Sequence, residues 1–324
     1  MNQQLAIGID IGGTNTVFGL VDARGNIVYR GAISTKKQTD VNKYIDELYT
    51  TIAPAIEEVG GNEIIRGIGV GAPNGNYYKG TIEYAPNLDW KGIVPFAELI
   101  HNKFNLPAAL TNDANAAAVG EMMYGAAKGM KDFIMITLGT GVGSGIVANG
   151  QVIYGHDGFA GELGHAIVIP DGRLHWGTGA KGSLEAYASA TGVCITTNQF
   201  LVDRPKEKSL LRKYKPAEID SKKVYEAAIA GDVIAKEVYE YTGKILGQAL
   251  ANFVMFSSPE AIILFGGLTK AGELILAPTK RSMEANLLPI FQNKIKVLFS
   301  QLNESDAAIL GASALVWELK IDVG

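Results

Sequence analysis

A single cysteine, Cys194, occurs in 324 residues. That scarcity excludes a disulfide framework and most thiolate metal sites, both of which need cysteines in numbers. An excess of basic charge is also missing: 29 Lys plus Arg stand against 33 Asp plus Glu, a formal net charge of −4. Without basic blocks the chain lacks the Lys/Arg footprint that displaces counterions from a duplex, which argues against nucleic acid as the main partner. No apolar run approaches the roughly 18 residues of a membrane-spanning helix. The opening stretch, MNQQLAIGID, has neither the basic n-region nor the apolar h-region of a secretory leader, so a cytoplasmic protein with no membrane partner is expected. No Pro/Ser-rich linker or low-complexity tract interrupts the chain.

What the sequence has in excess is glycine: 39 of 324 residues, against a usual share of about 7%. Of these, 13 fall between positions 139 and 182, where backbone must turn sharply or approach something closely. With 47% hydrophobic residues and a mean hydropathy of +0.12, the chain can bury a large core. Its length fits two domains or one large α/β unit.

Apolar patterning predicts strands at Leu5–Ile9, Val17–Val21 and Ile27–Tyr29, the last two joined through the turn Asp22 to Asn26. A helix is predicted over 42–59, a strand over Ile65–Gly71, a helix over Phe96–Phe104, and a buried strand over Ala108–Thr111 that runs into an alanine-rich helix. This order favours an α/β fold with mixed sheets. The pattern then restarts. A strand over Phe133–Leu138 is followed by a Gly/Thr loop, a strand over Ser144–Ala148, the hairpin pair Asn149-Gly150 and a strand over Val152–Tyr154. Residues 223–256 carry one long helical face, Ala261–Phe265 reads as a strand, and an amphipathic helix closes the chain from Asp306. Two related halves sharing an interface are expected.

Five segments carry chemistry. Asp10-Ile11-Gly12-Gly13-Thr14-Asn15 follows a strand: its glycines let backbone N–H groups and the Thr14 hydroxyl face an anion, and Asp10 can hold Mg²⁺ or a water on it. A bare hairpin turn explains the same residues about equally well. Leu138 to Gly145, with Thr140, Gly141 and Gly143, repeats that logic, and two matching loops suggest a grip on one polyphosphate. Gly266-Gly267 follows a buried strand and could let a flat base lie against backbone, though a simple turn is at least as good a reading. In Asn112-Asp113-Ala114-Asn115 an exposed carboxylate stands at the carboxyl end of a strand, where ligand clefts of open α/β sheets lie. It could take a proton from a hydroxyl, or merely cap the helix. In Gly161-Glu162-Leu163-Gly164-His165 the spacing puts Glu162 and His165 on one side of a tight turn, suited to vicinal hydroxyls.

Read together, these segments resemble the ROK family of sugar kinases, within the actin, hexokinase and Hsp70 superfold. Asp10 to Thr14, Gly71-Ala72-Pro73, Pro86-Asn87-Leu88-Asp89-Trp90, Asn112 to Ala116, Leu138 to Gly145 and Gly161 to His165 stand in the family's order along essentially the whole chain. The resemblance implies two actin-like (ribonuclease H-like) α/β domains: 1–116 with the C-terminal helix at about 306–324, and 117–305, with an active-site cleft between them. It implies Asp113 as catalytic base, with Gly71, Ala72, Pro73, Asn87, Asn112, Glu162, His165 and Glu185 about the sugar. ATP would be held by Asp10, Gly12, Gly13, Thr14, Asn15, Thr140, Gly141, Gly143, Gly266 and Gly267, with Mg²⁺ at Asp10, directly or through water. It further implies a homodimer.

The chain departs from the family at the zinc loop, commonly Cys-x-Cys-Gly-x-x-Gly-Cys-x-Glu. Gly179, Gly182 and Glu185 remain, but Trp176, Thr178 and Ser183 stand where the cysteines would be. Hydroxyls and an indole cannot replace thiolates around tetrahedral Zn²⁺, so no zinc site is expected and Trp176 packing plus hydrogen bonds should hold the loop. Asn15 stands where many relatives have Lys. The stretch from Glu185 to Gly192 looks like glucokinase members, so the expected reaction is ATP + D-glucose to ADP + glucose 6-phosphate. N-acetylmannosamine, N-acetylglucosamine, fructose or allose are the alternative acceptors. A sugar-sensing regulator without catalysis is disfavoured by the retained motifs. A family repressor would carry a helix-turn-helix ahead of the first loop, whereas Asp10 comes almost at once.

Overall fold

A computed structural model describes residues 4–318. The described residues divide into two compact units, one built from 4–130, 145–161 and 300–318, the other from 131–144 and 162–299. The expected C-terminal helix is present as far as Glu318, and its positions 319–324 lie outside the described residues.

The first unit opens on an antiparallel meander of β1 (Leu5–Ile11), β2 (Asn15–Asp22) and β3 (Ile27–Ser34). β4 (Ile65–Gly71) and β8 (Ala108–Thr111) add to it in parallel, giving the order β3-β2-β1-β4-β8. β1 is buried nearly throughout, while β3 alternates half-buried with exposed positions, as a strand at a sheet edge does. Helix α1 (Val41–Val59) starts at Asp40, whose carboxylate accepts from Asn42 N at 2.8 Å, and stops at Gly60 with φ 121°. Its Tyr44, Ile45, Leu48 and Ile52 face is buried in the core beside Trp90 and Phe96. Between β4 and α2 (Phe96–Phe104), β5 (Gly75–Asn76), β6 (Thr81–Glu83) and β7 (Ile93–Val94) form a small antiparallel sheet. Strands of two or three residues carry no readable period, which is why sequence patterning misses them. Helix α3 (Asp113–Tyr124) follows β8.

Helix α9 (Glu304–Glu318) lies directly on the backbone of this sheet. A Cβ on Gly8 of β1 or Gly69 of β4 would run into the carbonyl oxygens of Ile309 and Ala312 respectively. One on Gly120 of α3 would meet Gly311 Cα at 2.8 Å. Helix-to-strand and helix-to-helix separations are therefore set by the absence of side chains.

In the second unit β9 (Phe133–Leu138), β12 (Ala261–Phe265) and β13 (Lys296–Phe299) run parallel. β10 (Val142–Ala148) begins here and continues past Ser144 into the first unit. There it pairs with β11 (Gln151–Val152) through Asn149 and Gly150, both at positive φ (52° and 74°). That is the two-residue hairpin its sequence predicts. The order β11-β10-β9-β12-β13 repeats that of the first sheet strand for strand, so the two related halves are present as mixed sheets flanked by helices.

The helices of the second unit are α4 (Glu185–Ala188), α5 (Ala190–Asp203), α6 (Ser221–Ile229), α7 (Val233–Ser257) and α8 (Glu273–Asn286). Apolar spacing predicts one helix over 223–256, but the chain breaks it into α6 and α7. Gly231 takes φ 95°, and Asp232 caps the new start by accepting from Ala235 N at 3.0 Å. Helices α7 and α8 cross at Gly243 and Gly247, where a Cβ on Gly243 would lie 2.5 Å from Pro278 Cγ.

Gly69→Ala is expected to destabilise the protein by about 2–3 kcal/mol in urea unfolding, since rigid backbone must move to admit the methyl. Gly267→Ala, with nothing within 4 Å of the added carbon, should unfold at the wild-type midpoint. Equal effects at the two positions would contradict the close seating of α9.

Candidate functional site

In the first unit the chemistry-bearing residues gather where β1, β4 and β8 end. Asp10 is the penultimate residue of β1 and pairs across the sheet with Gly71, the last residue of β4. A Cβ on Gly71 would sit 3.4 Å from Asp10 Oδ1 and 3.8 Å from Asp113 Cα, so glycine there lets the two carboxylate-bearing segments close up. Asn112 Oδ1 accepts from Asn115 N at 2.6 Å and is the N-cap of α3. This moves the capping role from Asp113, where sequence reasoning allows it, to its neighbour. Asp113 is the first helical residue and accepts from Ala114 N at 2.8 Å.

The electrostatics of this pair are unfavourable to charge. Burial, and then the Asp113 carboxylate, push Asp10 up to about 7. Asp113 keeps an open face to solvent, yet the protein crowded around its carboxyl raises its proton affinity too, against the lowering effect of the Ala114 N–H. Carboxyls whose proton affinity is raised in this way are candidates for function.

The first glycine loop bridges β1 and β2, closed by Gly12 N donating to Asn15 O at 3.0 Å, with Thr14 and Asn15 exposed. Gly13 packs on Asn87, whose Cβ would be 2.9 Å from a Cβ on the glycine. Asn87 is itself exposed, held between buried Leu88 and Trp90, and Trp90 Nε1 donates to Gln38 O at 3.3 Å. Ala72 N donates to Thr111 O at 3.0 Å, tying the Gly71-Ala72-Pro73 turn to the end of β8.

In the second unit the loop between β9 and β10 stands at the matching place but closes more tightly, with Gly139 N donating to Gly141 O, two residues on, at 3.0 Å and Thr140 exposed. Gly143 N donates to Thr137 Oγ1 at 3.0 Å. Gly139 and Thr140 border a cavity of ≈ 580 Å³ whose other walls include Gly267 and Leu268 beyond β12 and Ser221, Lys222 and Tyr225 of α6. That is ample for a nucleoside. Gly266, at φ 103°, leaves no room for a Cβ, which would lie 2.7 Å from Leu138 O, and so holds this turn against the loop. The α6 and Tyr239 walls carry no motif, and sequence reasoning does not find them.

Glu162, His165 and Glu185 also come together in this unit. Glu162 and His165 are exposed, 3.9 Å apart across the turn that the sequence predicts. Glu185 accepts from Val142 N at 2.7 Å through Oε2 and meets His175 Nε2 at 2.6 Å through Oε1. His175, absent from the sequence-based candidates, is 4% exposed and its ring lies 5.6 Å from that of His165. Gly177 N and Thr178 N donate to its Nδ1 at 3.2 and 3.0 Å. Trp176, expected to help hold the loop by packing, stacks on His175 with ring centres 4.3 Å apart while staying 47% exposed. The loop has a second anchor in Arg173, whose guanidinium donates to Ala186 O at 2.6 Å and lies over the Tyr187 ring at 4.6 Å. Among the described residues no group of three or more His, Cys, Asp or Glu is arranged to hold a metal ion. Nor is any helix long and apolar enough to cross a membrane.

The model of the ROK family matches residues 6–318. The chain belongs to the ROK family. It is 36% identical to a glucokinase of Halalkalibacterium halodurans over 98% of this chain and 96% of that one. Identity to a glucokinase of Thermotoga maritima is 33%, over 96% and 97%. Among solved structures, a ROK family glucokinase from Streptomyces griseus in complex with glucose and AMPPNP superposes with a TM-score of 0.79 at 34% identity, covering 97% of this chain and all of that one. The match confirms the actin-like ATPase fold expected from the sequence.

Asp10 gives this site a pH signature. Its folded-state pKa near 7 lies above the unfolded value of 3.8, so the folded chain holds a proton that the unfolded chain has already lost. The associated stability is fully present below about pH 4 and is lost as pH rises toward and through 7. Asp10→Asn should remove that slope and unfold at higher urea than wild type at pH 8, with little difference at pH 4. A variant gaining equally at both values would show that Asp10 is not the crowded acid.

Proposed function

We propose that this protein is an ATP-dependent glucokinase: Asp113 accepts the proton of the glucose 6-hydroxyl as that oxygen attacks the γ-phosphorus of ATP, giving ADP and glucose 6-phosphate. The observation that carries the reading is Asp113 itself, a carboxylate opening to solvent at the end of β8 with its proton affinity raised by its surroundings. A base is most effective when its pKa approaches the working pH. Relatives named glucokinase over nearly the full length support the choice of sugar.

In this reading the hydroxyls of glucose are held by Asn87, Asn112, Glu162, His165 and Glu185 with the Gly71-Ala72-Pro73 turn. Backbone N–H groups of the two glycine loops, with Thr14 and Thr140, receive the phosphates, and the cavity beside Gly267 receives the adenosine. Phosphoryl transfer asks mainly for positioning and charge stabilisation, which glycine loops can supply because backbone donors approach the phosphate without side chains in between.

The donor set also fits Mg²⁺. Asp10 is a hard oxygen ligand whose ionisation is opposed by burial and by Asp113, a penalty that a divalent cation beside it offsets. The absence of a larger ligand cluster among the described residues is no obstacle, because Mg²⁺ is commonly held by one or two carboxylates together with substrate phosphates. When bound, the ion would neutralise phosphate charge. At the family's zinc loop we expect no metal, since Trp176, Thr178 and Ser183 offer no thiolates.

Asp113→Ala should lower kcat by at least a thousandfold while glucose affinity stays within about tenfold, the pattern of a group acting in the transition state. An ADP-release assay across glucose, fructose, allose, N-acetylglucosamine and N-acetylmannosamine is expected to rank glucose first by kcat/KM. Preference for another sugar would overturn the substrate, and near-normal turnover by the Asp113 variant would overturn the base. Metal analysis of the purified protein should find zinc far below one equivalent.

A further inference from the structure

A carboxylate that must meet sugar hydroxyls is useful only if its oxygens are aimed, and the surroundings of Glu185 show what aims them. Each of its oxygens has one fixed protein partner: Val142 N on Oε2 at 2.7 Å and the His175 ring on Oε1 at 2.6 Å. A carboxylate oxygen has two lone-pair sites, so each can still accept from a substrate hydroxyl with its direction already set.

The proton on the imidazole is assigned by its other nitrogen. Backbone N–H groups of Gly177 and Thr178 point at Nδ1, at 3.2 and 3.0 Å, and the Thr178 hydroxyl lies 3.0 Å from it. Two N–H donors converging on Nδ1 make it the acceptor, which leaves the hydrogen on Nε2, directed at Glu185. The ring is 4% exposed and the Glu185 side chain 14%. It is further confined by Trp176 stacked on one face and by edge contact with His165.

We propose that His175 is a positioning residue for sugar binding: its Nε2–H fixes the Glu185 carboxylate, while its Nδ1 gathers the turn at Gly177 and Thr178. The inference rests on the reading of Glu185 as a sugar ligand. It assigns to one neutral ring the ordering of a loop whose sequence has Trp176, Thr178 and Ser183 at the family's cysteine positions. A Cβ on Gly141 would lie 2.4 Å from Glu185 Oε2, so the carboxylate that His175 aims also sits against the second glycine loop.

Two substitutions separate the two ring nitrogens. In His175→Asn the amide oxygen can reproduce the Nδ1 acceptor, but nothing reaches Glu185. In His175→Gln the longer amide can reproduce the Nε2 donor, but the turn loses its acceptor. His175→Asn is expected to raise the KM for glucose about tenfold or more, the usual weight of a hydrogen bond to a charged group. Its KM for ATP should stay within about threefold, because Val142 N keeps its partner. His175→Gln should rescue most of the glucose KM while lowering the melting temperature more than His175→Asn does.

The ring ¹⁵N spectrum of wild type should show the Nε2–H tautomer, with that resonance shifted in Glu185→Gln. If both His175 variants alter the glucose KM alike, or neither does, or the spectrum shows the Nδ1–H form, the proposal is wrong even though the protein is a kinase. A wild type that turns over no sugar would instead overturn the kinase reading, whatever the tautomer.

Discussion

The position of α9 against the first sheet governs the rest of the first unit. A helix can lie on a sheet at this separation only where the strands carry no side chain beneath it, and Gly8 and Gly69 supply that at adjacent positions on β1 and β4. Gly311 on the helix and Gly120 on α3 extend the same close approach to the next layer. β1 ends in Asp10 and Ile11, β4 in Gly71, and α3 begins at Asp113, so the helix that clamps these elements also sets the spacing of the acidic pair. Contact of this kind transmits displacement, because backbone meets backbone with no side chain between to absorb it.

What the packing holds in place is electrostatically costly. Two carboxyls with raised proton affinity oppose folding at neutral pH, and the core beneath them, with Ile7, Ile9, Ile68 and Val70 fully buried, offsets that cost. An acid under this strain favours whatever removes its excess charge, either a proton or a cation. Burial is the larger cause at both carboxyls, so the cost belongs to holding them at these positions, and giving up stability there is the trade that functional sites commonly make.

Much of this was legible in the sequence because it rests on local signals. The Asn149-Gly150 hairpin, the strand ends at Gly71 and Leu138 and the matching loops at Gly12 and Gly139 are set by residues within a few positions of one another. Glycine is where local reading went astray. The excess reads as turns and phosphate loops, yet Gly8, Gly69, Gly120, Gly243 and Gly247 are there for close packing against partners distant in sequence. The break between α6 and α7 escapes a reading by apolar period alone, because apolar residues resume at Val233, although Gly231 followed by Asp232 is itself a stop-and-cap signal. The walls of the nucleotide-sized cavity contributed by α6 and Tyr239 were illegible for the opposite reason: an isolated Lys or Tyr on a helix has no signature until the fold brings it to a loop.

His175 lies in a loop whose sequence has Trp176, Thr178 and Ser183 at the family's cysteine positions. A thiolate-bound zinc would fix such a loop with strong bonds to few atoms. Here the order comes from many weaker bonds sharing two centres. Arg173 gathers Ala186 O, Gly192 O and Thr196 Oγ1 on one side, and His175 gathers Gly177, Thr178 and Glu185 on the other. Each bond contributes on the order of 1 kcal/mol, or about twice that where a charge is involved. Together they can hold the geometry of a short turn, though not with the independence from its surroundings that a metal confers. The cost is shared with the neighbouring glycines: Gly182, at φ 76° against Ile169 O, and Gly172, against the Tyr187 hydroxyl, must stay bare for the turn to close. A loop built this way depends on its neighbours. Its most consequential neighbour is the Glu185 carboxylate, which ties it to the start of β10 and so to the second glycine loop.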